Sequence, residues 1–297
     1  MVFTIPSEGA LSQFGFDSVN PVTKVYEFNT YDFGARPEFL ETGGIRGILD
    51  HISENVVEGR ILVNGNISLE PTPTVLSTLL LQAILCGTPT GTNPVTYPLG
   101  NTAPYNYIQI DRIGKVFTYA GVAVNRARFH SAEGRQLILD LELAGKTETI
   151  GNSGTFPAAL TPPLEATFMH FNGTFSLNGQ ARQVRVVSIE IDNHLTVDRF
   201  MNSQTVTDLV IQDRTIAVNV TVPYNADNVD LYAAAVTAAT GATFVWVNGP
   251  KTLTFTVGAL QQAAMPAPPI QGKTELLLTI PFFARKLSTT PALSVSM

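Results

Sequence analysis

Apolar and polar positions alternate with period two over Arg60–Glu70. Ile61, Val63, Ile67 and Leu69 share one face, and Asn64, Asn66, Ser68 and Glu70 the other. This is the pattern of a half-buried β-strand. A helix is predicted directly after it. Thr72 is placed to cap it and Pro73 occupies its first position, where no N–H is needed. Val75, Leu76, Leu79, Leu80, Ala83 and Ile84 recur at helical spacing to form the buried stripe, and Gly87 is the expected stop. The same succession returns about 150 residues later. Ile216, Val218, Val220 and Val222 alternate with Ala217, Asn219 and Thr221, and Asn225 is placed as a cap. Val229, Tyr232, Ala233 and Val236 form the second stripe, and Gly241 closes it.

Each unit is followed by a hairpin and a closing strand. In the first closing strand Leu137, Leu139, Leu141 and Leu143 face one way, and Asp140 and Glu142 the other. TELLLTIPFFARK takes the same place in the second half. The repeat is one of topology, with little residue identity. It predicts a mainly β chain of two tandem β-sandwich or partial-barrel domains, each with one flanking α-helix, plus extended arms and long loops. Residues 1–43 read as an N-terminal arm, 44–150 as the first domain, 151–164 as a linker, 165–286 as the second domain and 287–297 as a tail that gains order on binding. A long excursion at Gly34–Gly59 and a loop of about 20 residues after Gly87, rich in Gly, Pro, Thr and Asn, interrupt the first half; loops of that length are usually functional or disordered.

Composition narrows the function. Charged residues make up 14% of the chain, against roughly 25% for soluble domains, which fits a surface largely hidden in permanent contacts. The net charge of −6 argues against tightly held nucleic acid, which needs clustered Lys and Arg, but not against nucleic acid as passing cargo. The N-terminal residues lack the basic and apolar regions of a signal peptide, and no apolar run is long enough to predict a membrane span. The Asn-x-Ser/Thr triplets at Asn66, Asn172 and Asn219 read as chance in a cytosolic product.

Chemistry is sparse. The single cysteine, Cys86, reads as a buried small hydrophobe. His51, His130, His170 and His194 stand in no metal-ligand spacing; His130 is expected at a hairpin tip. No nucleophile elbow or phosphate-binding glycine loop is present. Asp140 and Glu142, at i,i+2 on a strand face, are better read as solvated surface than as a glycosidase pair. Trp246 is expected in a core or interface. No catalytic, cofactor-binding or metal-binding residue is predicted.

VEGRILVNGNISLEPTP with its helix, the hairpin GVAVNRARFHSAEGRQLILDLELAGKTE, FNGTFSLNGQARQVRVVSIEIDNH before IQDRTIAVNVTVPYN, and the closing LTIPFFARK together resemble the tail tube (major tail) proteins of long-tailed bacteriophages. The resemblance covers roughly residues 44–286 and rests on order and spacing. It implies two tail-tube-like domains and a structural virion protein, made in the host cytoplasm, whose rings stack into a tube. The conduit takes the tape-measure protein first and DNA as transient cargo afterwards, and tail-tip and tail-terminator proteins are the further partners. The internal repeat favours homotrimeric, pseudo-hexameric rings, with a homohexamer as the alternative. On this reading Asn64, Asn66, Ser68, Glu70, Asp140, Glu142, Asn219, Thr221, Glu275 and Thr279 line the lumen, and Arg36, Phe39 and Arg46 contact the next ring. A virion-surface β-sandwich adhesin and a secretion-system tube protein are the rival readings.

Overall fold

The computed structural model describes residues 12–41, 53, 56–112, 114–152, 156, 164–177, 179–233, 240–263, 270 and 273–297. Strand accounts for 59% of the described residues and helix for 8%, so the protein is mainly β, built as open sheets. The first half holds β1 (Gln13–Asp17), β2 (Val25–Tyr26), β3 (Thr30–Glu41), β4 (Val56–Leu69), α1 (Pro73–Val75), a π-helical turn at Leu76–Leu80, α2 (Leu81–Leu85), β5 (Thr96–Pro98), β6 (Asn106–Asp111), β7 (Lys115–Ala132), β8 (Ile138–Gly145) and β9 (Thr147–Asn152). The second holds β10 (Gly173–Leu177), β11 (Gln180–Arg182), β12 (Val186–Asp192), β13 (Leu195–Thr196), β14 (Val210–Ile211), β15 (Thr215–Pro223), α3 (Val229–Ala233), β16 (Thr240–Asn248), β17 (Lys251–Gln262), β18 (Leu277–Arg285) and β19 (Leu293–Ser296).

Antiparallel pairing runs β3–β4–β8–β7–β6–β1–β2 in the first half. In the second it runs β12–β15–β18–β17–β16–β10–β11. The two orders correspond strand for strand. The halves are also joined edge to edge. Seven residue pairs, from Val186↔Ala132 to Asp192↔Arg126, stitch β12 onto β7. The 18-residue β7 is the hinge of this arrangement. Its first part pairs with β6 and β9, its last part with β8 and β12.

One face of the shared sheet is apolar. Ile67, Leu69, Ala127, Phe129, Leu139, Leu141, Ile189, Ile191, Val218, Val220 and Ile280 are buried with Leu76, Leu80 and Ile84 of the helical segment in a single core. Trp246 lies in that core, as expected, edge-on to Phe175 at 5.5 Å and to Phe255 at 5.8 Å. The seam carries a polar lock. A bulge in β7 leaves Asn125 as the extra residue between Val124 and Arg126. Its side chain donates to Glu142 and accepts from the Leu195 amide, both at 2.8 Å. Asn193, fully buried, donates to the Ile84 and Val124 carbonyls (3.2 and 3.0 Å) and accepts from Arg214 Nε at 2.7 Å. Arg214 in turn donates to the Gly100 carbonyl at 2.6 Å. Asparagine suits the site because its amide offers both donor and acceptor without a charge to desolvate.

Several local expectations change. Residues expected as an irregular arm carry β1, whose Phe14 and Phe16 are fully buried and which pairs with β6. Part of the excursion at Gly34–Gly59 is a β-ribbon: β3 pairs with a β4 that starts at Val56, four residues before the predicted strand. Pro37 sits beside a register shift in that ribbon, where a missing N–H is tolerated. The tail is no loose end. Leu293 and Val295 are fully buried, and β19 pairs with both β17 and β5, a strand inside the long loop after Gly87.

The first helix follows its predicted stripe and cap, with Thr72 accepting from the Val75 amide. Its stop differs. Cys86, half-buried, takes the left-handed C-cap at φ 64°. Gly87 is needed instead for close packing, since a Cβ there would lie 2.1 Å from the Pro98 carbonyl oxygen. The second helix is out of phase with its predicted stripe. Leu231 and Asn228 are buried and Val229 is 42% exposed. Residues three apart share a helix face, so burial of 228 and 231 turns 229 outward. Asn228 fixes that phase by donating to the Pro223 carbonyl. Gly241 belongs to β16, and Val236 lies outside the described residues. His130 stands within β7, paired with Ile138 and ahead of the hairpin turn rather than at its tip. Most of the expected linker at 151–164 lies outside the described residues.

Candidate functional site

The opposite face of the shared sheet is polar, and it is continuous across both halves. Residues directly opposed in an antiparallel pair project to the same side. One row reads Ser68, Asp140, Arg128, Glu190 and Ala217 across β4, β8, β7, β12 and β15. The next reads Asn66, Glu142, Arg126, Asp192 and Thr215. Further along, Ile138, His130, Ser188 and Asn219 align, and Val186, Thr221 and Thr279 align. Eight of the predicted face residues, Asn64, Asn66, Ser68, Asp140, Glu142, Asn219, Thr221 and Thr279, therefore share one side of one sheet. Glu70 and Glu275 lie just past the ends of β4 and before β18 with the same parity. Glu70 accepts from Asn29 at 3.3 Å, and Glu275 accepts from Arg185 at 3.0 Å.

A shallow depression of about 330 Å³ lies in this face, lined by Thr30, Asn66, Ser68, Arg126, Arg128, Asp140, Glu142 and Glu190. Arg126 lies between two carboxylates, 2.7 Å from Glu142 and 3.8 Å from Glu190. Arg128 Nε donates to Ser188 Oγ at 3.0 Å. Asp140 accepts from Ser68 at 2.6 Å and lies 3.3 Å from His130 Nδ1. At the end of the seam Arg185 is held by Glu133 and Glu275. The two central rows thus set two arginines among four carboxylates, so the face is net acidic but its carboxylates are partly engaged with its own cations. Among the described residues no group of three His, Cys, Asp or Glu side chains converges as a metal site would require.

A family model described as phage tail tube protein matches residues 19–284. The chain belongs to the phage tail tube protein family. The match takes in both halves, the seam and the polar face. No curated protein matches the chain. Membership makes it a structural virion protein that self-assembles into a tube. The family is a structural one, not an enzyme family. No helix among the described residues of this tail tube protein is long and apolar enough to cross a membrane.

The residues predicted to touch the next ring are scattered differently. Arg36 is exposed and pairs with Asp32 at 3.3 Å. Phe39 is 62% exposed near the outer end of the β3–β4 ribbon, beside the exposed Leu40, Val56 and Val57. Arg46 lies outside the described residues. Sequence reasoning missed Arg126, Arg128, Ser188 and Glu190 on the polar face. The signal was present, since Arg126 and Arg128 alternate with Ala127 and Phe129, and Ser188 and Glu190 with Ile189 and Ile191. What no local pattern supplied was the adjacency of β7 and β12, some 60 residues apart.

Proposed function

We propose that three copies of this chain close a pseudo-hexameric ring, and that the polar face of the shared sheet lines its lumen. Each half would supply one of six tube domains: the unit at 44–150 completed by β1–β3 of the expected arm at 1–43, and the unit at 165–286, with the linker at 151–164 between them and the tail at 287–297 after them. The observation that carries the reading is that predicted lumen residues from both halves fall on one face of one sheet, across a strand seam within a single chain. The matching pairing orders support the duplication. No described strand pairs with the outer edge of β3, the counterpart of the β12 edge that β7 occupies. There the Phe33 carbonyl accepts from Tyr119 and Arg112, and the Ala35 amide donates to Glu148, a side-chain cap that a neighbouring copy would replace.

Rings stack in this reading through the β3–β4 ribbon, with Arg36 and Phe39 at the contact and Arg46 beyond it. The tube first surrounds the tape-measure protein and later conducts DNA, meets tail-tip and tail-terminator proteins at its ends, and is made in the host cytoplasm. Electron microscopy of the purified protein tests the ring. Hollow striated tubes whose end-on averages contain three chains are expected. Averages with six chains per ring would reject the trimer, and dispersed monomers under all assembly conditions would reject the whole proposal.

A further inference from the structure

We infer that Glu142 and Glu190 are guard residues, which occupy Arg126 and keep the polar face from holding nucleic-acid phosphate. The inference rests on the proposal that this face lines the lumen. An arginine guanidinium is the side chain best matched to a phosphate, because its planar fork donates two parallel hydrogen bonds. Arg126 and Arg128 stand two residues apart on β7, at the centre of the face and beside a depression wide enough to admit a small anion. Left free, the pair would be a phosphate site. Repeated in every chain of every ring, even weak sites would sum to strong retention of a threaded polyanion.

The fold prevents this by register. Glu142 comes from β8 on one side of β7 and Glu190 from β12 on the other, so the Arg126 guanidinium is bracketed by carboxylates from both neighbouring strands. Asn125, displaced by the bulge, donates to Glu142 Oε1 and holds that carboxylate in place, leaving Oε2 for Arg126. Arg128 is drawn toward Ser188 by its Nε and lies opposite Asp140 on one side and Glu190 on the other. A phosphate that binds Arg126 must displace Glu142 or Glu190 or accept a carboxylate as its neighbour. One guard comes from each half of the chain, so Arg126 meets both only once the seam has formed.

The test uses the full-length protein and the isosteric variant Glu142→Gln/Glu190→Gln, which removes both charges and keeps side-chain volume. A fluorescent DNA duplex is titrated into unassembled chain at low salt and followed by anisotropy. The double variant is expected to bind about tenfold or more tighter than wild type, with binding that weakens steeply as salt rises. Adding Arg126→Ala and Arg128→Ala to it should abolish the gain. No gain in a double variant with an unchanged unfolding midpoint overturns the inference, as does a gain that survives loss of both arginines. The single variant Glu142→Gln is the fallback should the double variant not fold, with a smaller gain expected and no gain again overturning the idea. DNA delivery by virions carrying the double variant separates the two layers. Slowed delivery supports the guard role inside a lumen. DNA binding by the chain with normal delivery supports guarding but rejects this face as the lumen wall.

Discussion

At the residue scale, the side chains that matter most to the fold are few and polar. Asn193 satisfies the carbonyls of Ile84 and Val124 and a nitrogen of Arg214 at once. Each buried polar group left without a partner costs about 1–3 kcal/mol. Asn193→Ala is expected to lower stability by about 2–4 kcal/mol in chemical denaturation; a loss under about 0.5 kcal/mol would mean the seam does not depend on this lock. Asp17, the last residue of β1, is a second such residue. Burial alone would raise its carboxyl, but the Thr23 hydroxyl, the Thr23 and Ser18 amides and Lys24 outweigh it and hold the pKa below the ordinary value. With the folded value depressed, its contribution is complete above the unfolded pKa of about 3.9 and is lost as pH falls through the folded one. Asp17→Asn should therefore flatten the loss of stability in acid, read from denaturation midpoints between about pH 6 and pH 3. Identical acid slopes in the two proteins would rule Asp17 out. Cys86 shows the limit of reading single residues. Its place after an apolar stripe suggests a core position, but it is the backbone turn at φ 64° that fixes its environment.

At the element scale, what was legible in the sequence was what periodicity writes locally. The body of β4, the first helix with its Thr72 cap, β8 and β15 all carry their own pattern. The β1 and β3 strands do not. Gly15 in β1, and Gly34 and Pro37 in β3, look like breakers, and only their partners β6 and β4 make them strands. The second helix was misphased because short helices take their orientation from caps and neighbours more than from a stripe. β19 is legible only in hindsight, as the alternation of Leu293 and Val295 in a short segment. Its burial between β17 and β5 gives a sharp expectation. Val295→Asp places a charge at a fully buried site and should cost about 3–5 kcal/mol. Limited proteolysis should then cut within residues 87–106 sooner than in wild type. Unchanged cleavage there would show that β5 does not need β19.

At the scale of the whole molecule, the polar face was half legible. The sequence names the residues of β4, β8, β15 and β18 that lie on it, because each strand declares its own two sides. It cannot declare which strands are neighbours, so the arginines of β7 and Glu190 of β12 entered only with the seam. That adjacency also changes the electrostatic reading. A chain of net charge −6 need not present bare carboxylates to be unattractive to DNA. Some of its carboxylates hold its own cations instead, as Glu142 and Glu190 hold Arg126, while the central rows stay net negative. In the proposed ring of three chains, the same adjacency would make one of every two seams within a chain.

The pairing of β5 with β19 has a consequence in time. Tyr97 and Val295 are partners across nearly 200 residues of chain. At roughly 5–20 residues per second, a ribosome delivers the second about ten to forty seconds after the first. Through that interval β5 has an open edge and no strand to fill it. Newborn chains translated side by side are thus exposed to exchange of this strand, and the yield of correctly closed protein should depend on how crowded and how fast its synthesis is.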